Sequence, residues 1–311
     1  LAYLNTDGSS RGSMNIGGSH TLERYLNEVM ADVSDPRLDV NLKERRRAYL
    51  MVSGDDNAQA EARERDDLRI YPMGSGSDYT PFLQHLGIAS ANLSFGGEAD
   101  DGSYHTMYDT YEHYTRFRDP GLVYGAALAK TTGRATLRLA NAPRLPFDFT
   151  GLADNIALYV TELEALADGM RTETEKINEL IDDGIWHAAL NPERPPGPPK
   201  KEAPVPYFNF APLKNALARL QSAAEAFDAA QPGAVADEEI NALLYTSERL
   251  LTRDEGLDGR PWYKHHIYAP GFYTGYGVKT IPGVREAIEQ RDYDSVGPQI
   301  DSAAGGLHRI A

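Results

Sequence analysis

The chain contains no cysteine. Disulfides and cysteine-ligated metals are therefore excluded, while the compartment stays open, because many exported proteins also lack cysteine. No apolar run approaches the roughly 20 residues of a membrane span. Cations are scarce: 31 lysines and arginines stand against 46 aspartates and glutamates, a formal net charge of −15. Nucleic acid and anionic membrane surfaces call for clustered Lys and Arg, so neither is expected as a partner. The acidity is read as a solubility feature. No Gly-x-Ser-x-Gly elbow is present, which leaves a serine hydrolase without its nucleophile. No internal repeat is found, and no signal peptide is visible in a chain that opens on Leu1 as if cut from a longer precursor.

What is present is ordinary for a folded protein: 41% hydrophobic and 25% charged residues over 311 positions. That length exceeds what one core usually fills, so two domains are expected. Residues 1–147 read as alternating strands and helices. Leu1 to Asn5 is a short strand, and Ser19 or Thr21 caps a helix running to about Met30. Lys43 to Asp67 reads as a solvated, partly irregular excursion, followed by a short helix carrying Phe82, Leu83 and Leu86. Ile88 to Phe95 is the next strand, and Asp119-Pro120 starts a helix through about Thr132. Such alternation predicts a largely parallel sheet covered on both faces.

The texture changes near Pro146-Phe147-Asp148. Residues 148–311 are expected to be mainly helical: a long run from Leu152 to Asp182, then Pro212 to Ala230, Asp237 to Thr252 and Gly283 to Arg291. Pro192 to Pro206, rich in proline and lysine, reads as an extended loop. From Arg260 on comes an aromatic loop with Trp262, Tyr263, Tyr268, Phe272, Tyr273 and Tyr276.

Two segments carry chemistry. Asp7 comes after the first strand, and His105 sits in the loop Gly102 to Tyr111 after a buried-type strand, where open parallel sheets place their ligands. Imidazole and carboxylate both suit zinc. Asp7 beside Gly8 is equally a turn former, and a lone histidine is more often a surface or core residue. Asp109 either orients His105 from behind or caps a turn. The loop Gly74-Ser75-Gly76-Ser77-Asp78 lacks the Walker lysine of a phosphate cradle, and its glycines let backbone approach a ligand or a neighbouring loop. His265 and His266 are adjacent and read as one packed, one exposed. His20, His85, His113, His187 and His308 have no partner at a ligand spacing.

Several segments in order resemble the C-terminal half of the glutamate carboxypeptidase II-like di-zinc peptidases, which share their architecture with the transferrin receptor. These are Ala2-Tyr3-Leu4-Asn5-Thr6-Asp7, Gly74 to Tyr79, Leu86 to Ser90, Tyr104-His105-Thr106, Leu145 to Asp148, and Arg260-Pro261-Trp262-Tyr263-Lys264-His265-His266-Ile267-Tyr268-Ala269-Pro270. The resemblance implies the C-terminal part of an α/β/α-sandwich exopeptidase domain at 1–147, with a helical dimerisation domain after it at 148–311. It implies Asp7 and His105 as ligands, one to each of two zincs, with Tyr104 donating to the substrate or oxyanion. Gly76, Ser77, Asn92, Ser94 and Tyr276 fall in the implied substrate pocket. The family's remaining His, bridging Asp, Glu ligand and general-base Glu have no counterpart in this sequence.

The resemblance also shows departures. Gly17, Asn92, Ser94 and Gly275 stand where glutamate carboxypeptidase II has an arginine patch and a pocket lysine. Without those cations a more neutral pocket is expected, in an aminopeptidase or carboxypeptidase not restricted to glutamate. The implied setting is a secreted or periplasmic homodimer acting on peptides, joined through the helical domain and completed by the missing N-terminal part of the peptidase domain. These residues alone are expected to be inactive. The alternative is a non-catalytic receptor-like or dimerisation module of the transferrin receptor type.

Overall fold

The computed structural model describes residues 1–98, 102–189, 193, 199–230 and 237–311. A three-stranded sheet lies in the first half: β1 (Tyr3–Asn5), β2 (Gly12–Gly18) and β3 (Ser90–Gly97), in the order β1-β3-β2. β3 pairs in parallel with β1, Tyr3 opposite Ser90 and Asn5 opposite Asn92. It pairs antiparallel with β2, with Gly17 opposite Asn92 and Ser13 opposite Gly96. The sheet is thus mixed, where the sequence pattern predicts a largely parallel one. β2 escapes that pattern because three of its seven residues are glycine, leaving Met14 and Ile16 as its apolar positions.

Alternation gives the sheet two unlike faces. Met14, Ile16, Ala91, Leu93 and Phe95 join a buried cluster with Leu22, Leu26 and Val29 from around α1 (Glu23–Ala31). Tyr124, Ala135 and Leu139 of a later helix, α5, close it (Val123–Asn141). The opposite face is polar, with Ser13, Asn15, Asn92 and Ser94 in alternate positions. The segment Lys43 to Asp67, expected to be a solvated and partly irregular excursion, forms α2 (Leu42–Ser53) and α3 (Asp56–Glu64). A capping box starts α2: Asn41 Oδ1 accepts from the Glu44 N–H and Glu44 accepts from the Asn41 N–H. A π-helical turn spans Pro81–His85, and a short α4 (Tyr111–His113) leads into a second π-helical turn. α5 begins later than Asp119-Pro120 and runs nine residues beyond Thr132, to Asn141. Leu122 takes a left-handed φ of 56°, and the Asp119 carboxylate accepts from the Tyr124 and Gly125 N–H groups at 3.1 and 2.8 Å.

The second half is built on α6 (Phe149–Asp182), whose first turn is capped by Asp148. α7 (Ile185–Ala189), α8 (Ala211–Ala229) and α9 (Glu238–Thr246) come next, the last continuing into a 3-10 turn, Ser247–Leu251. Of the expected loop Pro192 to Pro206, residues 192 and 194–198 lie outside the described set, and 199–206 carry neither helix nor strand. A hairpin of β4 (Tyr268–Pro270) and β5 (Val278–Thr280) carries the aromatic loop at its tip. α10 (Pro282–Glu289) and α11 (Tyr293–Ile310) close the fold. The sequence pattern does not announce α11, because Pro298 and three glycines interrupt it. Its buried stripe of Val296, Ile300, Ala303, Ala304 and Leu307 packs on α8 and α10 nonetheless. Among the described residues no helix is long and apolar enough to cross a membrane.

A polar seam joins the halves. His20 Nε2 lies 2.6 Å from the Tyr159 hydroxyl, and the His20 N–H donates to Tyr268 at 3.2 Å. Glu248 faces His265 Nε2 at 3.1 Å and Thr21 at 3.4 Å, and Asn155 donates to Glu23 at 3.1 Å. His265 and His266 are both buried, not one packed and one exposed: the chain turns His265 onto Glu248 while His266 lies against Gly306.

Candidate active site

β1 ends in a polar turn whose geometry is fixed by short side chains. Asn5 is buried, and its amide donates to Asp7 Oδ1 at 2.8 Å. The same nitrogen lies 3.0 Å from Ser77 Oγ and 3.1 Å from Asn92 Oδ1. Ser77 Oγ donates to Asp7 Oδ1 at 2.6 Å, and Asn92 Nδ2 to Asp7 Oδ2 at 3.3 Å. Three donors from β1, the Gly74–Asp78 loop and β3 therefore hold one exposed carboxylate just beyond the carboxyl end of β1. Behind them the Tyr3 hydroxyl donates to Asn5 Oδ1 at 3.2 Å, and the Tyr3 ring stacks on Phe82 at 4.1 Å. Burial, reinforced by the Asp7 charge, pushes the nearby Tyr79 hydroxyl above its ordinary range.

The loop bearing Ser77 is held from the helical half. A Cβ on Gly74 would fall 1.9 Å from the Tyr276 carbonyl oxygen, and one on Gly76 2.5 Å from the Tyr276 ring. Gly76 also takes φ +103°, a region that favours glycine. The Ser75 N–H donates to the Tyr276 carbonyl at 3.1 Å. These glycines serve close approach of a neighbouring loop.

His105 sits in the left-handed region at φ 60°, with its ring stacked on Tyr104 at 3.7 Å. The turn is held by Thr106, which bonds the Ser103 carbonyl through both N–H and Oγ1. Tyr104 stays 64% exposed. The Asp109 carboxylate lies 3.9 Å from the Arg118 guanidinium, and no hydrogen bond joins it to His105 among the described residues.

The structure thus brings Asp7, Ser77 and Asn92 together, and Gly76 against Tyr276. Ser94 lies two residues further along β3, opposite Asn15. Among the described residues no hydrogen bond or ion pair joins Asp7 to His105. Among the described residues no three His, Cys, Asp or Glu side chains converge as a metal group. Asp7 and His105 are donor types that fit zinc, and two such donors fall short of the three protein ligands a catalytic zinc needs. Sequence reasoning misses Asn5; its signal is the i, i+2 spacing to Asp7 at a strand end, which puts both side chains on one face.

A family model described as "Transferrin receptor-like dimerisation domain" matches residues 208–311. A protein of Arabidopsis thaliana named "Probable glutamate carboxypeptidase" is 33% identical over 296 residues, covering 93% of this chain and 36% of its own. One of the same description from Zea mays is 27% identical over 93% of this chain and 35% of its own. An aminopeptidase of Mus musculus is 25% identical over 69% of this chain and 26% of its own. The chain spans about a third of the length of the curated relatives it matches. Along 93% of its length the chain is thus similar to proteins named as probable glutamate carboxypeptidases, and its residues 208–311 match the transferrin receptor-like dimerisation domain.

Proposed function

We propose that this chain forms part of a zinc-dependent exopeptidase and supplies one ligand to each of two metals, Asp7 and His105. The observation that carries the reading is the anchored Asp7 carboxylate, held by Asn5, Ser77 and Asn92 at the end of a parallel strand. Pre-aimed donors of this kind orient a metal-binding carboxylate. Bound zinc would supply Lewis acidity and an activated water. The remaining ligands and the general base would come from other parts of the complete protein, so this chain alone is expected to be inactive.

The chain's own residues would act on the peptide. Tyr104, exposed and stacked on His105, would donate a hydrogen bond to a developing oxyanion. Tyr276 and the Gly74–Asp78 loop would form one wall of the substrate pocket, so the helical half contributes to the site as well as to dimerisation. A homodimer through the helical half is the assembly proposed, and the dimerisation-domain match at residues 208–311 supports it.

The test is zinc content and peptide hydrolysis of the complete protein, with Asp7→Ala and His105→Ala. Each variant should lose metal and turnover together, and Tyr104→Phe should lower kcat while zinc stays bound. Full activity in Asp7→Ala would end the proposal. The second reading, a non-catalytic dimerisation module, is favoured by the family match lying wholly within residues 208–311. It predicts a dimer with no hydrolysis in the complete protein.

A further inference from the structure

Asp7 and His105 sit on separate segments, and one side chain ties those segments together. Ser9, two residues past Asp7 in the turn from β1 to β2, has its Oγ 2.6 Å from the Tyr114 hydroxyl. The same hydroxyl lies 3.3 Å from Asp119 Oδ2. A carboxylate only accepts, so the phenol gives its proton to Asp119 and takes one from Ser9. The far end of this relay is anchored. Asp119 is fully buried, and its oxygens accept from the Tyr124 and Gly125 N–H groups at 3.1 and 2.8 Å, where the start of α5 favours a negative charge. Gly125 leaves room for the meeting: a Cβ on it would stand 3.5 Å from Asp119 Oδ2, 3.5 Å from Ser9 Oγ and 3.6 Å from the Tyr114 hydroxyl.

From Tyr114 back to His105 the chain is bonded turn by turn. The Tyr114 N–H donates to the Thr110 carbonyl at 2.9 Å, and the His113 N–H to Thr110 Oγ1 at 3.2 Å. The Asp109 N–H reaches the Thr106 carbonyl at 3.2 Å, and the Tyr108 N–H reaches Thr106 Oγ1 at 3.1 Å. Thr106 in turn holds the Ser103 carbonyl across His105. A displacement of Tyr114 is therefore passed to the His105 turn. On the other side the Ser10 and Arg11 N–H groups donate to the Phe95 and Arg118 carbonyls at 3.0 and 2.9 Å, which holds Ser9 against β3 and the π-helical turn.

We infer that Tyr114 is a positioning residue of the candidate site: its hydroxyl, clamped between Ser9 and Asp119, sets the register of the His105 loop against the Asp7 turn. The clamp is read from the structure alone; that it serves metal binding rests on the peptidase reading. Such a device matters more than its single bond would suggest. Ligands that act together must be held to within about 0.5 Å, and these two come from segments that share no strand or helix.

The test compares Tyr114→Phe, which keeps the ring and removes the hydroxyl, with Thr115→Ala in the complete protein. Thr115 bonds only the Tyr111 and Glu112 carbonyls within its own turn. Amide exchange is followed with a chelator present, so that metal does not hold the segments. In Tyr114→Phe the amides of Ser10 and Arg11 and those of Thr106 and Asp109 should all exchange about two- to tenfold faster, the effect of one lost hydrogen bond. Thr115→Ala should move neither set. Ser9→Ala should reproduce the loosening, and the double variant should be no faster than either single one, because both remove the same bond. With zinc restored, competition against a chromogenic chelator should show affinity lowered about 10–100-fold in Tyr114→Phe, and kcat should fall with KM unchanged. Unchanged exchange at Ser10 and Arg11 in Tyr114→Phe, or additive effects in the double variant, overturns the inference. If Tyr114→Phe does not fold, Ser9→Ala decides, and unchanged exchange at Thr106 and Asp109 overturns the inference. Loosened segments in the variant of a protein that binds no zinc leave the clamp standing and the peptidase reading fallen. Zinc bound equally by wild type and Tyr114→Phe does the reverse.

Discussion

The Tyr276 ring lies on the backbone of Gly76, so that the aromatic loop of the helical half rests directly on the loop that positions Asp7 through Ser77. Gly74→Ala would place a methyl 1.9 Å from the Tyr276 carbonyl, an atom of backbone that has no easy way to yield. We expect a loss of about 1–3 kcal/mol, the usual range for overpacking, together with faster amide exchange across residues 271–277. Gly8→Ala is the control, since nothing lies within 4 Å of a Cβ there. A stability unchanged in Gly74→Ala would show that the contact is loose.

Asn5 supports Asp7 from the buried side. In the complete protein, Asn5→Ala should lower zinc affinity by about 10–100-fold, the usual effect of losing a group that orients a ligand. Asn15→Ala, on the same sheet face but bonded to the Ser13 carbonyl, should leave affinity unchanged. Competition against a chromogenic chelator measures both.

His266 is pushed down to about 3, first by burial and then by the positive charge of His265, Arg253 and Arg309 around it. Burial lowers His20 as well. In the unfolded chain such groups take up protons near pH 6.5, and in the folded state they resist. The unfolded state therefore binds more protons below pH 6.5, and stability falls with pH from there towards 3. Above pH 6.5 neither group contributes a slope. Thermal melts from pH 7.5 to 4.5 should show falling Tm, and His266→Leu should flatten the lower part of that curve. A His266→Leu curve parallel to the wild type would be the contrary result.

The hairpin tip is held by a nearly buried pair. Arg260 contacts both Glu286 oxygens, at 2.8 and 2.6 Å, and Glu286 accepts from the Phe272 N–H at 2.7 Å. Glu286→Ala leaves a part-buried guanidinium without its carboxylate and should cost about 1–3 kcal/mol, below the figure for a fully buried pair. Circular-dichroism melts are the measure, with the loss concentrated in residues 270–277 by amide exchange.

The parts of this fold that rest on regular periodicity are readable from the sequence. The start of α6 is legible to within three residues because its apolar positions recur at helical spacing for eight turns and more. Elements whose residues have a tertiary purpose are hidden. β2 carries no strand signal in the sequence because three of its seven residues are glycine, and Gly17 and Gly18 are packed against Tyr71 and Ala91. α11 carries a proline and three glycines, and its helicity comes from a buried face rather than local propensity. The capping box Asn41-x-x-Glu44 stands in plain sight, masked by the charge of the segment it starts. Of the site, Asp7 with Ser77 and Asn92 is named by resemblance. The support from Asn5 and the contact of Ser9 with Tyr114 need coordinates, since no spacing reveals that two hydroxyls 105 residues apart meet.

The seam of His20, Thr21, Tyr159, Glu248, His265 and Tyr268 has a bearing on how this protein can be recombined. His20 meets Tyr159 and Tyr268, and Thr21 meets Glu248, across the division, while His265 backs Glu248 from its own side. A chimera that joins the first 147 residues of this chain to the helical part of a relative must match that seam group for group. Otherwise polar atoms that are now answered would be stranded in a dry interface. Shuffling among such proteins is thus constrained less by the visible hinge at Pro146-Phe147-Asp148 than by six buried residues on either side of it.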